Sequence, residues 1–289
     1  MIEIFQTLQE RIKENKPSVL ITITEVKGST PGRTGFKMLV GEEGRVAGTV
    51  GGGGAEYYMM KKAKKLLEEN VQYFSETFLM TKEKNDEEKI KVKNKDVVQM
   101  DALCGGEMKV FYEVFRYEKI MYIFGAGHVG QAVAKLARQL NFYVAFIDNR
   151  TEMLEEINDS LYNKKIYFDF SKLEAAEKIS LPLDENAFAL LVTHFHAHDL
   201  NVLKYLYKYY PGMKYIGMIG SKKKAKESIS KLKTTLNENI SLENLYSPVG
   251  LDIGGGTPNE IAVSIMAEIQ SIIYKKNPQH FRLNYSEIE

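Results

Sequence analysis

Lys119–Arg150 reads "KIMYIFGAGHVGQAVAKLARQLNFYVAFIDNR", and this stretch decides the fold. Ile120–Phe124 is an apolar strand that runs straight into Gly125-x-Gly127-x-x-Gly130. A helix follows through Leu140, then a second strand, Tyr143–Ile147, ending in Asp148. Strand, glycine turn, helix, strand and terminal acid are the parts of a dinucleotide-type βαβ unit. In such a unit Gly125 makes the tight turn, Gly127 lets a phosphate approach, and Gly130 lets the helix pack on the strand. Asp148 falls 23 residues after Gly125, where an acid bonds a ribose hydroxyl. His128 sits at the start of the helix, where it meets either a ligand phosphate or solvent.

The pattern continues towards the C-terminus. Asn186–Thr193 reads as a buried strand and Asp199–Tyr210 as a helix, followed by a strand at Lys214–Gly220 and a helix at Lys222–Leu232. "GLDIGGGTPNEIAVSIMAEIQ" (Gly250–Gln270) then places Gly254, Gly255 and Gly256 before a helix. Thr257 is its N-cap, Pro258 its first residue, and Glu260 closes a capping box. Those glycines offer either an anion-accepting helix start or a plain turn. Ile261, Ile265, Ile269 and Ile273 are its expected buried stripe.

"VTHFHAHDL" (Val192–Leu200) groups His194, His196, His198 and Asp199. The run differs from the HxHxDH signature of binuclear hydrolases, because the aspartate follows the third histidine. Only His280 lies downstream, so no zinc site is expected here. Thr193 and His194 occupy the carboxyl end of a strand, the border of the ligand crevice in a doubly wound sheet, and are candidate contacts for a substrate or cofactor. Asp199 is read as a cap on the following helix.

The N-terminal half carries two more glycine loops. Val19–Val26 is a β-branched strand, and "VGEEGRV" (Val40–Val46) a hairpin. Gly51, Gly52, Gly53 and Gly54 precede a helix over Ala55–Asn70. They leave N–H groups bare at its positive end, and four in a row exceed what a turn needs. "GSTPGRTGFKM" (Gly28–Met38) adds Ser29, Thr30 and Lys37 as donors and Arg33 as a bidentate phosphate ligand. From Val71 to Asp101 the periodicity weakens, and Thr81–Asp96 is read as a solvated hairpin or loop. Glu107–Phe115 is a strand with Met108, Val110, Tyr112 and Val114 on one face. Just before it stands Cys104, the single cysteine of the chain, followed by Gly105 and Gly106. A lone thiol beside two glycines at a strand entry reads as facing a ligand.

Composition sets the outer limits. The 289 residues suggest two domains, and 39 basic against 38 acidic residues leave no footprint for nucleic acid or an anionic membrane. One cysteine makes no internal disulfide, so a reducing cytoplasmic home is expected. The first residues carry acids and no long apolar core, unlike a signal peptide. Phe5, Leu8 and Ile12 mark an amphipathic helix there, and no apolar run is long enough to span a bilayer.

Taken in order, "GSTPGRTGFKM", "GTVGGGGAE", "LCGGEMKV", "FGAGHVGQAVA" with "IDNR", "VTHFHAHDL", "YIGMIGSKKK" and "PVGLDIGGGTPNEIAVSIMAEI" resemble the XdhC/CoxI family, the xanthine dehydrogenase accessory proteins. The resemblance runs from residue 28 to about residue 270. It implies an α/β protein: a smaller N-terminal α/β domain over 1–117, a Rossmann-like doubly wound parallel sheet over 118–275, and a tail over 276–289. It also implies an accessory protein, not an ordinary enzyme. Such a protein binds molybdenum cofactor in plain or nucleotide form. It guards the cofactor while a cysteine desulfurase supports its sulfuration, and delivers it to an apo molybdenum hydroxylase of the xanthine dehydrogenase type. On this reading the glycine loops hold the cofactor's phosphate. Cys104 meets the molybdenum as a ligand or carries sulfur to it as a persulfide, since soft thiolates select such metals. A homodimer would let one protomer's Rossmann crevice face another's N-terminal domain. Two departures stand out: Gly32 separates Pro31 from Arg33, and the first glycine run is one residue longer than the family's. The competing reading is an NAD-dependent oxidoreductase built on residues 125–148, with Arg150 open to a 2′-phosphate. Zinc-dependent hydrolysis through the histidines ranks third.

Overall fold

Side-chain alternation along the first strand gives it two packing surfaces, and the N-terminal unit is built on that division. The computed structural model describes residues 2–69, 71–81, 90–94, 96–101, 105–173, 183–184, 186–236 and 240–279. The chain divides into two units, Met1–Tyr117 and Glu118–Glu289.

The first unit contains α1 (Ile2–Lys13), β1 (Ser18–Gly28), β2 (Lys37–Gly41), β3 (Gly44–Gly48), α2 (Gly53–Glu68), β4 (Tyr73–Thr81), β5 (Ile90–Asn94), β6 (Val97–Asp101) and β7 (Gly106–Phe115). The strands form one sheet in the order β3-β2-β1-β7-β4-β6-β5. Every pairing is antiparallel except β4 with β6. On one face Val19, Ile21 and Ile23 join Met108, Val110 and Tyr112 of β7 and Met59, Ala63 and Leu66 of α2. On the other face Leu20 and Leu39 pack with Ile4 and Leu8 of α1.

Two expectations for this unit change. The buried side of α1 is Ile4, Leu8 and Arg11, while Phe5 is exposed. Arg11 turns inward because its guanidinium donates to Ser18, to the Pro17 carbonyl and to Glu43. Residues 71–101, read as weakly patterned, supply three strands. Lys91 and Lys93 are exposed on β5, an edge strand, where lysines discourage pairing with another chain; residues 82–89 and 95 of the stretch read as a solvated hairpin or loop lie outside the described residues.

The second unit contains β8 (Ile120–Phe124), α3 (His128–Gln139), β9 (Tyr143–Asp148), α4 (Thr151–Glu155), β10 (Lys164–Tyr167), β11 (Phe188–Leu191), α5 (His196–Tyr209), β12 (Tyr215–Met218), α6 (Lys222–Thr235), β13 (Leu245–Tyr246) and α7 (Pro258–Ile273). The sheet order is β10-β9-β8-β11-β12-β13 and every pair is parallel. Numbered within the unit this is 3-2-1-4-5-6, the Rossmann order, with its topological switch point between β8 and β11. β8, β9, β11 and β12 are buried throughout, as parallel strands covered on both faces must be. α3 and α7 lie against one face, through Val133, Ala134, Ala137, Ala262, Ile265, Met266 and Ile269. The buried stripe of α7 runs through Ala262, Ile265, Met266 and Ile269, so two of the four expected isoleucines are fully buried and Ile261 and Ile273 only partly. α5 starts at His196, earlier than expected, so His196, His198 and Asp199 all lie in its first turns. Among the described residues no helix is long and apolar enough to cross a membrane.

Candidate functional sites at the carboxyl edge of the parallel sheet and in the glycine loops

The three glycines after β8 do separate jobs. Gly125 has φ +118° and lies against the backbone of Val192 and Thr193, so the turn after β8 is seated on the end of β11. A methyl on Gly130 would strike the Gly125 carbonyl, which is the close helix–strand contact expected of the third glycine. A methyl on Gly127 would meet nothing, leaving open space before α3. His128 is the first residue of α3, and that helix start has no side-chain cap.

Asp148 ends β9 with no exposed surface. Its two oxygens accept from the Ala126 N–H at 2.6 Å, the Arg150 N–H at 3.0 Å, and Arg150 Nε and Nη2 at 2.9 and 2.7 Å. Burial alone would raise its pKa, but the Arg150 and Ala126 hydrogen bonds outweigh it and hold the carboxyl below its usual range. The acid expected to bond a ribose is thus fully engaged inside the fold, and a ribose diol would have to displace Arg150.

Across β8, the end of β11 carries Thr193 and His194. Thr193 donates from both N–H and Oγ1 to Asp199, at 3.0 and 2.7 Å. Asp199 therefore ties this loop to α5 and does not cap the helix, whose N-cap is Phe195. It is 3 % exposed, and burial pushes its pKa up to about 6 against the pull of the Thr193 bonds. His194 is exposed, with its ring centroid 5.3 Å from that of His198. Burial, the Arg150 charge and His198 lower its pKa, and Asp148 works the other way. Among the described residues, His198 Nδ1 and Asn149 Oδ1 are buried with no hydrogen-bond partner. His196 instead reaches Ser228 at 3.1 Å. No three His, Cys, Asp or Glu groups among the described residues gather as a metal site.

In the first unit, three glycine motifs meet. A methyl on Gly106 would come within 2.5 Å of the Ser29 carbonyl oxygen and 2.8 Å of that of Lys27. One on Gly51 would lie 2.5 Å from the Pro31 carbonyl oxygen. The Gly28–Phe36 loop is thus clasped between Gly105–Gly106 and Val50–Gly51, and Ser29 N–H donates to the Gly105 carbonyl. Gly52 and Gly53 border open space, and the first turn of α2 has no side-chain cap. Arg33 is exposed, and its guanidinium has no partner among the described residues. Cys104 lies outside the described residues.

Part of the glycine loop's donor capacity is already used by Glu56, a residue that sequence reasoning did not single out. Its carboxylate accepts from Val50 N–H at 3.0 Å, Gly52 N–H at 3.1 Å and Thr49 Oγ1, and pairs with Arg45 at 2.9 Å. Burial would raise its pKa, yet these bonds hold it down. Glu260 repeats the device: its carboxylate accepts from Gly256 N–H and Thr257 N–H at 3.0 and 2.9 Å. In both cases a glycine N–H donates to the acid four residues later, a spacing visible in "GGGAE" and "GTPNE". The Gly254–Gly256 loop therefore spends its last amide on the capping box of α7.

Those hydrogen bonds depress the pKa of Glu260 to about 2. Its contribution to stability is present above the unfolded value of 4.5 and is lost as the pH falls towards 2. Glu260→Gln is expected to unfold at lower urea than the parent at pH 7, with the gap closing at pH 2–3. Urea midpoints across that range check it, and a gap independent of pH would contradict it.

Comparison with known proteins now bears on this geometry. The XdhC Rossmann domain family matches residues 121–269, more than half of the chain. The chain belongs to the XdhC family. Residues 11–75 match the XdhC and CoxI family separately. Among curated relatives, an uncharacterized protein, YqeB, of Escherichia coli (strain K12) is 29% identical over 271 residues, 94% of this chain and 46% of the relative. A protein of Bacillus subtilis (strain 168), named as a probable xanthine dehydrogenase subunit, is 32% identical over 151 residues, 52% of this chain and 41% of the relative. The XdhC chain described here thus spans less than half the length of these relatives. A crystal structure described as a xanthine dehydrogenase from Bacillus halodurans aligns over 98% of this chain and 99% of its own, at 20% identity and TM-score 0.47.

Proposed function

We propose that this XdhC family member is an accessory protein for a molybdenum hydroxylase of the xanthine dehydrogenase type. It binds molybdenum cofactor, supports its sulfuration by a cysteine desulfurase, and hands it on. The observation that carries the reading is the meeting of three family motifs in the first unit, around a glycine loop with open space over Gly52–Gly53; an exposed Arg33 follows Gly32, whose backbone packs on Val50 and Gly51. That donor set fits the phosphate end of the cofactor. The N–H groups at the start of α2 and the Arg33 guanidinium both favour an anion. Glu56 keeps Val50 and Gly52 in place and leaves the next turn of amides for a ligand. When bound, the cofactor supplies the molybdenum centre that receives sulfur. Cys104, immediately before the clasping Gly105–Gly106, is the residue assigned to that centre. The engagement of Asp148 by Arg150 weighs against NAD bound through its ribose, the oxidoreductase alternative.

Equilibrium binding of molybdenum cofactor to the reduced protein, with NAD as competitor, tests the proposal. Binding that NAD does not displace is expected. NAD binding without cofactor binding would overturn it. Cys104→Ser is expected to lower maturation of the hydroxylase at least tenfold, about 1.4 kcal/mol of lost coupling. Unchanged cofactor binding together with unchanged maturation would remove Cys104 from the mechanism.

A further inference from the structure

The near balance of charge over the whole chain conceals a local excess on α6. Its 14 residues, KKKAKESISKLKTT, hold six lysines and a single acid, Glu227. Ala225, Ser228 and Leu232 form its buried side, and His196 of α5 meets Ser228 at 3.1 Å, which fastens the helix to the unit. All six lysines are exposed, and none of their ammonium groups has an ion-pair or hydrogen-bond partner among the described residues.

The helix itself does not ask for them. Lys222, Lys223 and Lys224 stand in a first turn that holds no acid, at the positive end of the dipole, where cations are disfavoured. Ser221 already caps this end by accepting from the Lys224 N–H. Lys222 and Lys226 lie four residues apart, a spacing at which like charges repel. With 3.6 residues per turn, Lys222, Lys226 and Lys233 share one flank, a positive row about 16 Å long at 1.5 Å per residue. Cations kept against the local preference of their helix point to a role outside it.

We infer that the flank of α6 bearing Lys222, Lys226 and Lys233 is a docking surface for a partner protein that presents a row of carboxylates. Charge complementarity selects this occupant. Ala225 and Leu232 are buried in the unit and Ile229 partly so, which leaves no apolar face to enter a bilayer. The helix holds neither arginine nor an aromatic ring, the groups on which nucleic-acid bases stack. Lysine, a hydrated point charge on a flexible stem, suits exposed and salt-screened pairing that speeds encounter and lets the partner leave. α6 follows β12, so its first turn lies at the carboxyl edge of the parallel sheet and a partner on it borders that edge. The surface goes beyond the proposed cofactor binding and stands whichever ligand the protein carries.

Fluorescence anisotropy of labelled poly-L-glutamate with the full chain tests this at low and high salt. Binding that weakens as salt rises is expected. Reversing the row, with Lys222→Glu, Lys226→Glu and Lys233→Glu together, should weaken it about tenfold. The same number of reversals on the exposed side of α2, at Lys61, Lys64 and Lys65, should leave it near the parent's value. Equal losses from the two sets would reveal a response to net charge alone and overturn the surface. So would a DNA duplex or phosphatidylserine vesicles binding to the row more tightly than poly-L-glutamate. Thermal melting gives a second readout. Lys222→Glu places an acid at the positive end of α6 and is expected to raise the midpoint. A lowered midpoint would mean that Lys222 serves the fold, against the inference. The outcome is separable from the proposed function. Poly-L-glutamate binding through the row without cofactor binding would sink only the chaperone reading. Cofactor binding with poly-L-glutamate binding indifferent to the row would sink only the docking surface.

Discussion

Gly125→Val is expected to leave the second unit unfolded or insoluble at ordinary temperature. A β-carbon at this position would overlap the Val192 carbonyl oxygen and lie 2.6 Å from its carbon and 2.9 Å from Thr193 N. All three are backbone atoms of the residues that follow β11, so no side-chain rotation relieves the clash. A φ of +118° adds strain for a β-branched residue. Relief would require β8 and β11 to part at their ends, where Val192 N–H donates to the Phe124 carbonyl. Overpacking costs roughly 1–3 kcal/mol where side chains can yield, and more when the obstacle is main chain, so a loss of over ~4 kcal/mol is expected. Against a total stability of roughly 5–15 kcal/mol, that removes much of the margin. Gly127→Ala is the control: its methyl meets nothing, and its thermal midpoint should stay near the parent's. Equal losses in the two variants, followed by thermal melting, would show that the turn is not seated on β11.

Arg150→Ala is expected to cost about 3–5 kcal/mol at pH 7, because it leaves the fully buried Asp148 carboxylate with only the backbone amides of residues 126 and 150. The pH dependence identifies the cause. In the parent, the Asp148 pKa is depressed, so its pairing stabilises the fold above the ordinary carboxylate range and is lost as the pH falls below it. In the variant, burial dominates and raises the pKa, so the protein should regain stability on acidification. Arg150→Ala combined with Asp148→Asn should recover part of the loss, since the buried charge is gone. Chemical denaturation of the parent, Arg150→Ala, Asp148→Asn and the double variant at pH 7 and pH 5 completes the cycle. Additive losses in the double variant would mean that the pair is not coupled.

The second unit was largely legible in its sequence because its strands are buried on both faces and read as continuous apolar runs. Ile120–Phe124 and the helix after it stand where periodicity places them. The strands β4 to β6 and β10 were hidden for the opposite reason. β5 and β10 are edge strands with lysines on their open faces, and tertiary pairing, not local pattern, makes them strands. At the sites, glycine positions were legible and carboxylate partners were not. Nothing local tells that Asp148 turns to Arg150 instead of outward, or that Asp199 reaches back to Thr193. Glu56 and Glu260 did leave a trace, an acid four residues after the glycine whose amide it takes.

That carboxylate bracing bears on how the proposed ligand would come and go. A loop that must first organise around its guest binds more weakly and drifts between shapes when vacant. Here Glu56 and Glu260 act as permanent lodgers, each holding its loop in one shape whether or not a visitor is present. Arrival of the proposed ligand would then demand little rearrangement, and its departure would leave no collapsed cavity behind. Such a receptacle is suited to repeated filling and emptying, and its exchange rate would be governed by the grip on the guest and not by refolding of the host.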